Sequence, residues 1–249
     1  MFNNQYSLAA KGNIRHVIEP YMIKGNPNFN YYQFDEDYYG FKPATNFQDK
    51  PFEGKVVAET VDHIVIKTGR KEFVSVGKSI ASLHPPVGKK VRITPYVRRY
   101  FNGHPIDKPA EGGFLLIGAA VTIPVAKPSC YELEQIISIL ENDYAKDGSR
   151  RIAEMLVDAM AKDFHVVDPQ PDEIFTKYPS ISFNVCTGKY TGSVKLSHNT
   201  NNACYELEFR PCGSLERANI FKLKPTEIGI YLSNWIDDGC WKVVKVEII

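Results

Sequence analysis

Residues 180–211, SISFNVCTGKYTGSVKLSHNTNNACYELEFRP, decide the fold. Three runs, SISFNVCTG, TGSVKLSH and ACYELEFRP, alternate apolar and polar side chains with a period of two and are closed by Gly, Asn or Pro, the pattern of half-buried antiparallel strands. In the third, Tyr205, Leu207 and Phe209 point one way and Cys204, Glu206 and Glu208 the other, so one face is buried and one is wet. Upstream the period changes. Pro128, Ser129 and Glu132 read as a capping-box start, and Leu133, Ile136, Ile137, Leu140 and Tyr144 form a single helical stripe. Gly148 ends that helix and Ser149 is placed to cap a second. Its apolar side is Ile152, Met155, Leu156, Ala159 and Met160, and its wet side is Arg151, Glu154, Asp158 and Lys162. The short loop predicts an antiparallel helical hairpin, ended by Pro169 and Pro171, that covers a sheet. Downstream, EIGIYLSNWI (227–236) and CWKVVKVEII (240–249) read as a last strand pair joined by Asp237-Asp238-Gly239, with Trp235 and Trp241 flanking the turn. Helices followed by strands, without alternation, predict an α+β domain with a mainly antiparallel sheet over 128–249.

Toward the N-terminus the texture is different. KVVAET, HIVIKT, KEFVSV and KKVRITPYV are short β-branched runs separated by Gly and Pro, with a hairpin signal at Gly69-Arg70. Closed by FLLIGAAVTIPV, they predict a small β-barrel or strongly bent sheet over 53–127, since closure removes unpaired edges. Residues 1–52 are irregular and aromatic-rich, with Tyr31, Tyr32, Phe34, Tyr38, Tyr39 and Phe41 crowded around Asp35, Glu36 and Asp37. Rings at this density are expected to pack on a neighbouring sheet, the other reading being a partner surface.

The 249 residues carry a net charge of only +1, which hides two opposite halves. Residues 1–127 hold 17 Lys and Arg against 11 Asp and Glu, and residues 128–249 hold 13 against 18. No apolar run is long enough to span a membrane, and MFNNQYSLAAKGN lacks the basic start and apolar core of a secretory signal, so a cytoplasmic protein is expected. All five cysteines lie in the second half, with no C-x-x-C pair, which fits reduced thiols. Cys186 and Cys204 read as small hydrophobes within strands, and Cys212 and Cys240 adjoin turn glycines.

Phosphate-loop, nucleophile-elbow and H-E-x-x-H patterns do not occur. The six histidines are scattered without ligand spacing, and the nearest approach to a nucleophile set is His198 with Cys186 or Cys204, with no third member indicated. The balance leans against an enzyme, and no catalytic residue, metal or cofactor is implied. The informative segment is GKKVRITPYVRRYFNGHP (88–105). Lys89, Lys90, Arg92, Arg98 and Arg99, with no acid among them, are interleaved with Tyr100, Phe101 and His104. Read as a hairpin, it offers cations to DNA or RNA phosphates and flat rings to unstacked bases, giving binding of low sequence specificity. The competing structural reading turns Val91, Ile93 and Tyr96 inward and leaves the cations decorating a hairpin tip. The alternative function is a protein-binding inhibitor or decoy acting on a host enzyme or defence system, steered by the charge polarity, with the acidic C-terminal half meeting a protein partner.

Residues 53–96, EGKVVAETVDHIVIKTGRKEFVSVGKSIASLHPPVGKKVRITPY, also resemble the KfrB-like domain of conjugative-plasmid accessory proteins. The resemblance rests on Gly54 before a valine pair, the strand at Asp62-His63-Ile64-Val65, the Gly69-Arg70 turn, and Val87-Gly88-Lys89-Lys90-Val91 leading into Ile93. Pro95 departs from the pattern by interrupting the last strand. The resemblance implies an accessory protein of a plasmid or other mobile element in a bacterial cytoplasm, and it assigns no catalytic residue.

Overall fold

The computed structural model describes residues 14–24, 28–34, 51–96, 98–104 and 121–249, apart from the side chain of residue 242. It is an α+β structure of two compact units. The first holds the described residues up to Arg98 together with Trp241–Ile249, and the second holds the described residues from Arg99 to Cys240. The second unit is thus inserted in the chain between two parts of the first.

The first unit is built on a six-stranded sheet. Strands β1 (Asn30–Phe34), β2 (Phe52–Glu59), β3 (His63–Lys67), β4 (Glu72–Gly77), β5 (Lys90–Thr94) and β11 (Lys245–Ile248) lie in the order β1-β4-β3-β2-β5-β11. Only β1 with β4 is parallel. Three consecutive residues of β3, Ile64, Val65 and Ile66, are fully buried because both faces of the sheet are covered. Ile64 and Ile66 join Val56, Val74, Val76, Val91 and Ile93 on one face. Val65 joins Val57, Phe73 and Tyr31 on the other, under the helical turn α1 (14–18) that carries Ile14 and Ile18. Where it is described, the aromatic N-terminal segment is not irregular throughout, since it supplies strand β1 of this sheet, which buries Tyr31 and Phe34; Tyr38, Tyr39, Phe41 and the acidic trio lie outside the described residues. The sheet is strongly curved. Phe34 and Phe52 stack with centroids 6.5 Å apart, although two strands separate β1 from β2, which a flat sheet would place about 14 Å apart. Past β11, Ala81 forms a parallel bridge with Val244, and Ser82 donates to the Val244 carbonyl at 3.0 Å. The described strands nevertheless do not close into a barrel, and β1 and β11 remain the ends of the order.

The second unit is a five-stranded antiparallel sheet, β10-β9-β8-β7-β6, made of β6 (Lys162–Val167), β7 (Ser180–Cys186), β8 (Thr191–Asn199), β9 (Cys204–Pro211) and β10 (Ala218–Leu223). Helices α2 (Tyr131–Asn142), α3 (Ile152–Asp158) and α4 (Pro225–Ile236) bury their stripes with Ile181, Phe183, Val194, Leu196, Leu207 and Phe209 on one face of that sheet. The strands of 180–211 and their facing follow the expected alternation.

Several local expectations are corrected. Helix α2 is capped by Cys130, whose sulfur accepts from the Leu133 N–H, rather than by Ser129. Ser129 is held instead by Asp168, which accepts from both its N–H and its hydroxyl and from the Cys130 N–H. Helix α3 stops at Asp158, with Met160 in the left-handed region, and the residues expected to continue it form edge strand β6. Residues 225–236 are helix, not strand. Alternation and helical spacing both fit this stretch, and Ile230, which alternation would bury, is exposed while Ile228, Leu232 and Ile236 at i, i+4 and i+8 are fully buried. Pro225 at the first turn and Glu227, whose carboxylate accepts from the Lys224 N–H at 2.8 Å, start the helix. The last strand consequently has no hairpin mate in 225–236 and pairs with β5 instead.

Two features hold the helices in place. Gly229 lets α4 lie directly on the backbone of Tyr144, where a Cβ would collide with the Tyr144 carbonyl oxygen. Because the obstacle is main chain, Gly229→Ala is expected to lower stability by about 1–3 kcal/mol, the usual cost of overpacking, despite alanine's better helix propensity. A urea-unfolding midpoint equal to that of the parent chain would contradict this. Arg150 is the largest fully buried side chain; its guanidinium meets Asp158 at 2.6 Å, Asp237 at 2.5 Å and Asp147 at 3.6 Å. It ties the start of α3 to the end of α3 and the end of α4.

Candidate functional site

The eight residues of the basic and aromatic segment divide between the units, Lys89, Lys90, Arg92 and Arg98 in the first and Arg99, Tyr100, Phe101 and His104 in the second. They do not form a hairpin. Strand β5 pairs with β2 and β11, while residues 98–104 close a separate turn in which the Tyr100 N–H donates to the His104 carbonyl and the Gly103 N–H to the Tyr100 carbonyl. Phe101 is packed edge-on against Phe164 at 5.1 Å, and both Tyr100 and Phe101 are partly buried on the helix-sheet core, so these rings serve packing. Arg99 is exposed and donates to the Gly103 carbonyl at 2.9 Å, and His104 is exposed. Arg98 is only 4% exposed.

In the first unit the cations are ordered by the sheet. Antiparallel register sets Lys55 on β2 directly opposite Lys67 on β3 and, on its other side, opposite Lys90 on β5. Residues directly opposite share a face, so three ammonium-bearing side chains lie side by side across three strands spaced by about 4.8 Å. Arg92 follows two residues along, opposite Glu53 and Glu247. Glu53 receives Lys90 at 2.7 Å and Arg92 at 2.8 Å, and these two hydrogen bonds hold its carboxyl below the usual range. Lys67 donates to the Tyr21 carbonyl at 2.7 Å. Lys55 is exposed and has no hydrogen-bond or ion-pair partner among the described residues, and Lys89 and the turn residues Arg70 and Lys71 are exposed too. Sequence reasoning found Lys89, Lys90 and Arg92 and missed Lys55 and Lys67. Only the register joins them, and the signal was there in the equal distance of Lys55 and Lys67 from the β2–β3 turn.

The thiol and imidazole groups do not assemble. Cys186 ends β7 opposite Thr191, exposed rather than buried, while His198 lies at the far end of β8, next to Ser197, which pairs with Ser180. Cys204 pairs with Asn199, and His198 with Tyr205, so Cys204 and His198 point to opposite faces. Burial pushes the Cys130 thiol up, and the Asp238 carboxylate does the same to Cys240. Among the described residues no group of His, Cys, Asp and Glu has the arrangement of a metal site, and no helix is long and apolar enough to cross a membrane.

His198 packs on the Tyr205 ring at 4.8 Å, and burial lowers its pKa, against the opposing charge of Glu132. A histidine whose folded pKa is depressed contributes full stability above its unfolded value near 6.5 and loses it progressively as the pH falls from there through the lower folded value. The melting temperature is therefore expected to drop between about pH 7 and pH 5, and His198→Phe should flatten that drop. An identical slope in the variant would exclude His198 as its source.

No family model matches the chain, and no curated protein and no solved structure was found to match it.

Proposed function

We propose that the chain is a non-enzymatic accessory protein that holds nucleic acid by its phosphate backbone, with little preference for sequence, through the cationic face of the first unit. The observation that supports this reading is the row Lys67, Lys55 and Lys90. Like charges directly opposite on neighbouring strands destabilise a sheet. Glu53 offsets Lys90 at one end and the Tyr21 carbonyl and the Phe73 ring engage Lys67 at the other, so the uncommitted cation is Lys55 in the middle, where a polyanion laid across the row relieves the remaining repulsion. Arg92, two residues from Lys90 along β5, extends the row on the same face. A small, strongly bent sheet suits such a role, and the KfrB-like resemblance of residues 53–96, which points to a plasmid or other mobile element, spans the three strands that carry the row. Stacking on Tyr100 and Phe101 has no part in the proposal, since those rings are packed on the second unit's core.

Lys55→Glu tests it, because this side chain is exposed and structurally uncommitted. The variant is expected to weaken binding of single- and double-stranded oligonucleotides alike, by about tenfold at low salt, and to reduce the slope of log K against log salt by about 1. Unchanged affinity and slope would end this reading and favour capture of a protein instead.

A further inference from the structure

The open face of the second unit's sheet carries a groove of about 450 Å³, within the range of small-molecule sites. Its floor is set by register, Ser197 lying opposite Glu206, and Glu208 lying between Lys195 and Asn219. Tyr178, from the segment before β7, and Phe221, from edge strand β10, also line it. Strand β10 is irregular here, with a shift of register between Ile220 and Leu223 and Lys222 in the left-handed region at φ 59°. The extra residue keeps Phe221 on the open face, 59% exposed, and returns Leu223 to the core.

Hydrogen bonds within the molecule leave only some of these groups for a ligand. Glu208 is engaged by Arg210 at 2.6 Å and Arg217 at 3.5 Å. Glu206 accepts from Asn199 through Oε1 alone, and the Tyr178 oxygen accepts from Asn201, which leaves the phenol proton to donate. Lys195 and the Ser197 hydroxyl have no hydrogen-bond or ion-pair partner among the described residues. The groove thus offers the Lys195 ammonium, whose neighbour Glu208 is already engaged by Arg210 and Arg217, a free carboxylate oxygen, two hydroxyls and an aromatic face.

We propose that this groove binds an anionic sugar, a hydroxylated ring bearing a phosphate or a carboxylate. The apolar C–H face of the ring rests on Phe221, matching the negative face of the aromatic quadrupole. Ring hydroxyls donate to Glu206 and accept from Tyr178 and Ser197, and the anionic group meets Lys195. An apolar ligand would leave these polar groups stripped of water, and a nucleic-acid strand would run over Glu206 and Glu208. The site is separate from the lysine row and does not depend on it.

Calorimetric titration of the full chain with glucose 6-phosphate, glucuronate, glucose and inorganic phosphate tests the assignment. At least one acidic sugar should bind about tenfold or more tighter than either glucose or phosphate, and the stronger of the two identifies phosphate or carboxylate as the preferred anion. Lys195→Met should erase the preference over glucose, and Glu206→Gln and Phe221→Ala should each weaken binding by about tenfold without changing the melting temperature. Lys55→Glu should leave sugar binding intact, so that the two sites fail separately. Absence of binding by both acidic sugars at millimolar concentration, binding of phosphate alone as tight as glucose 6-phosphate, or unaltered affinity in all three groove variants would overturn the proposal.

Discussion

Arg150→Met is expected to destabilise the second unit by about 3–5 kcal/mol, the range for removing one partner of a buried ion pair. The guanidinium is 0% exposed and is the cation shared by Asp147, Asp158 and Asp237, whose side chains are themselves mostly buried. Without it three carboxylates converge on one pocket with their mutual repulsion unrelieved, and α3 loses its link to the end of α4. Methionine fills much of the vacated volume, so the loss is electrostatic rather than a cavity effect. Combining Arg150→Met with Asp158→Asn and Asp237→Asn should recover a large part of the deficit, since only the more distant Asp147 then remains charged. Urea-unfolding midpoints of the single and triple variants measure this. A single variant within 1 kcal/mol or so of the parent would show that the cluster is already satisfied by water.

Phe209→Ala should cost a comparable amount, about 3–5 kcal/mol. Phe209 is fully buried at the centre of an aromatic cluster, stacked on Trp235 at 4.6 Å and 15° and met edge-on by Tyr190 at 5.8 Å. Its removal deletes buried area and ring contacts together, and β9 and α4 are fixed by their own hydrogen bonds and cannot collapse into the space. The second readout is optical. With Trp241 replaced by Phe, emission reports on Trp235 alone, and it should shift to longer wavelength as that indole loses its stacking partner and meets water. Unchanged emission together with a loss well below about 3 kcal/mol would mean that the cavity closes around Trp235.

What could be read from the chain followed the strength of the local signal. The alternation of 180–211 and the stripe from Leu133 to Leu140 were legible because a single period fitted each. Residues 225–236 satisfied both periods, and the choice is made by tertiary burial, which leaves Ile230 outside and Ile228 inside. Edge strand β6 was hidden because Lys162 and Asp163 read as the polar end of a helix, and only the positive φ at Met160 breaks the helix before them. The candidate site was legible as charge and not as geometry. Lys90 and Arg92 stood out as members of a basic run, whereas Lys55 and Lys67 joined them only through strand pairing, and the aromatics that suggested stacking turned out to be needed by a core the run itself gave no sign of.

The insertion of one unit within the chain of the other bears on biosynthesis. Strand β5 leaves the ribosome about 150 residues before its neighbour β11, a wait of roughly 10–30 s at ordinary elongation rates. During that interval the nascent N-terminal sheet presents Lys90–Thr94 as an unprotected margin, and the positive charges along it, Lys90 and Arg92, are the kind of side chain that deters premature association with another polypeptide. These side chains would then first act as guardians of solubility during translation.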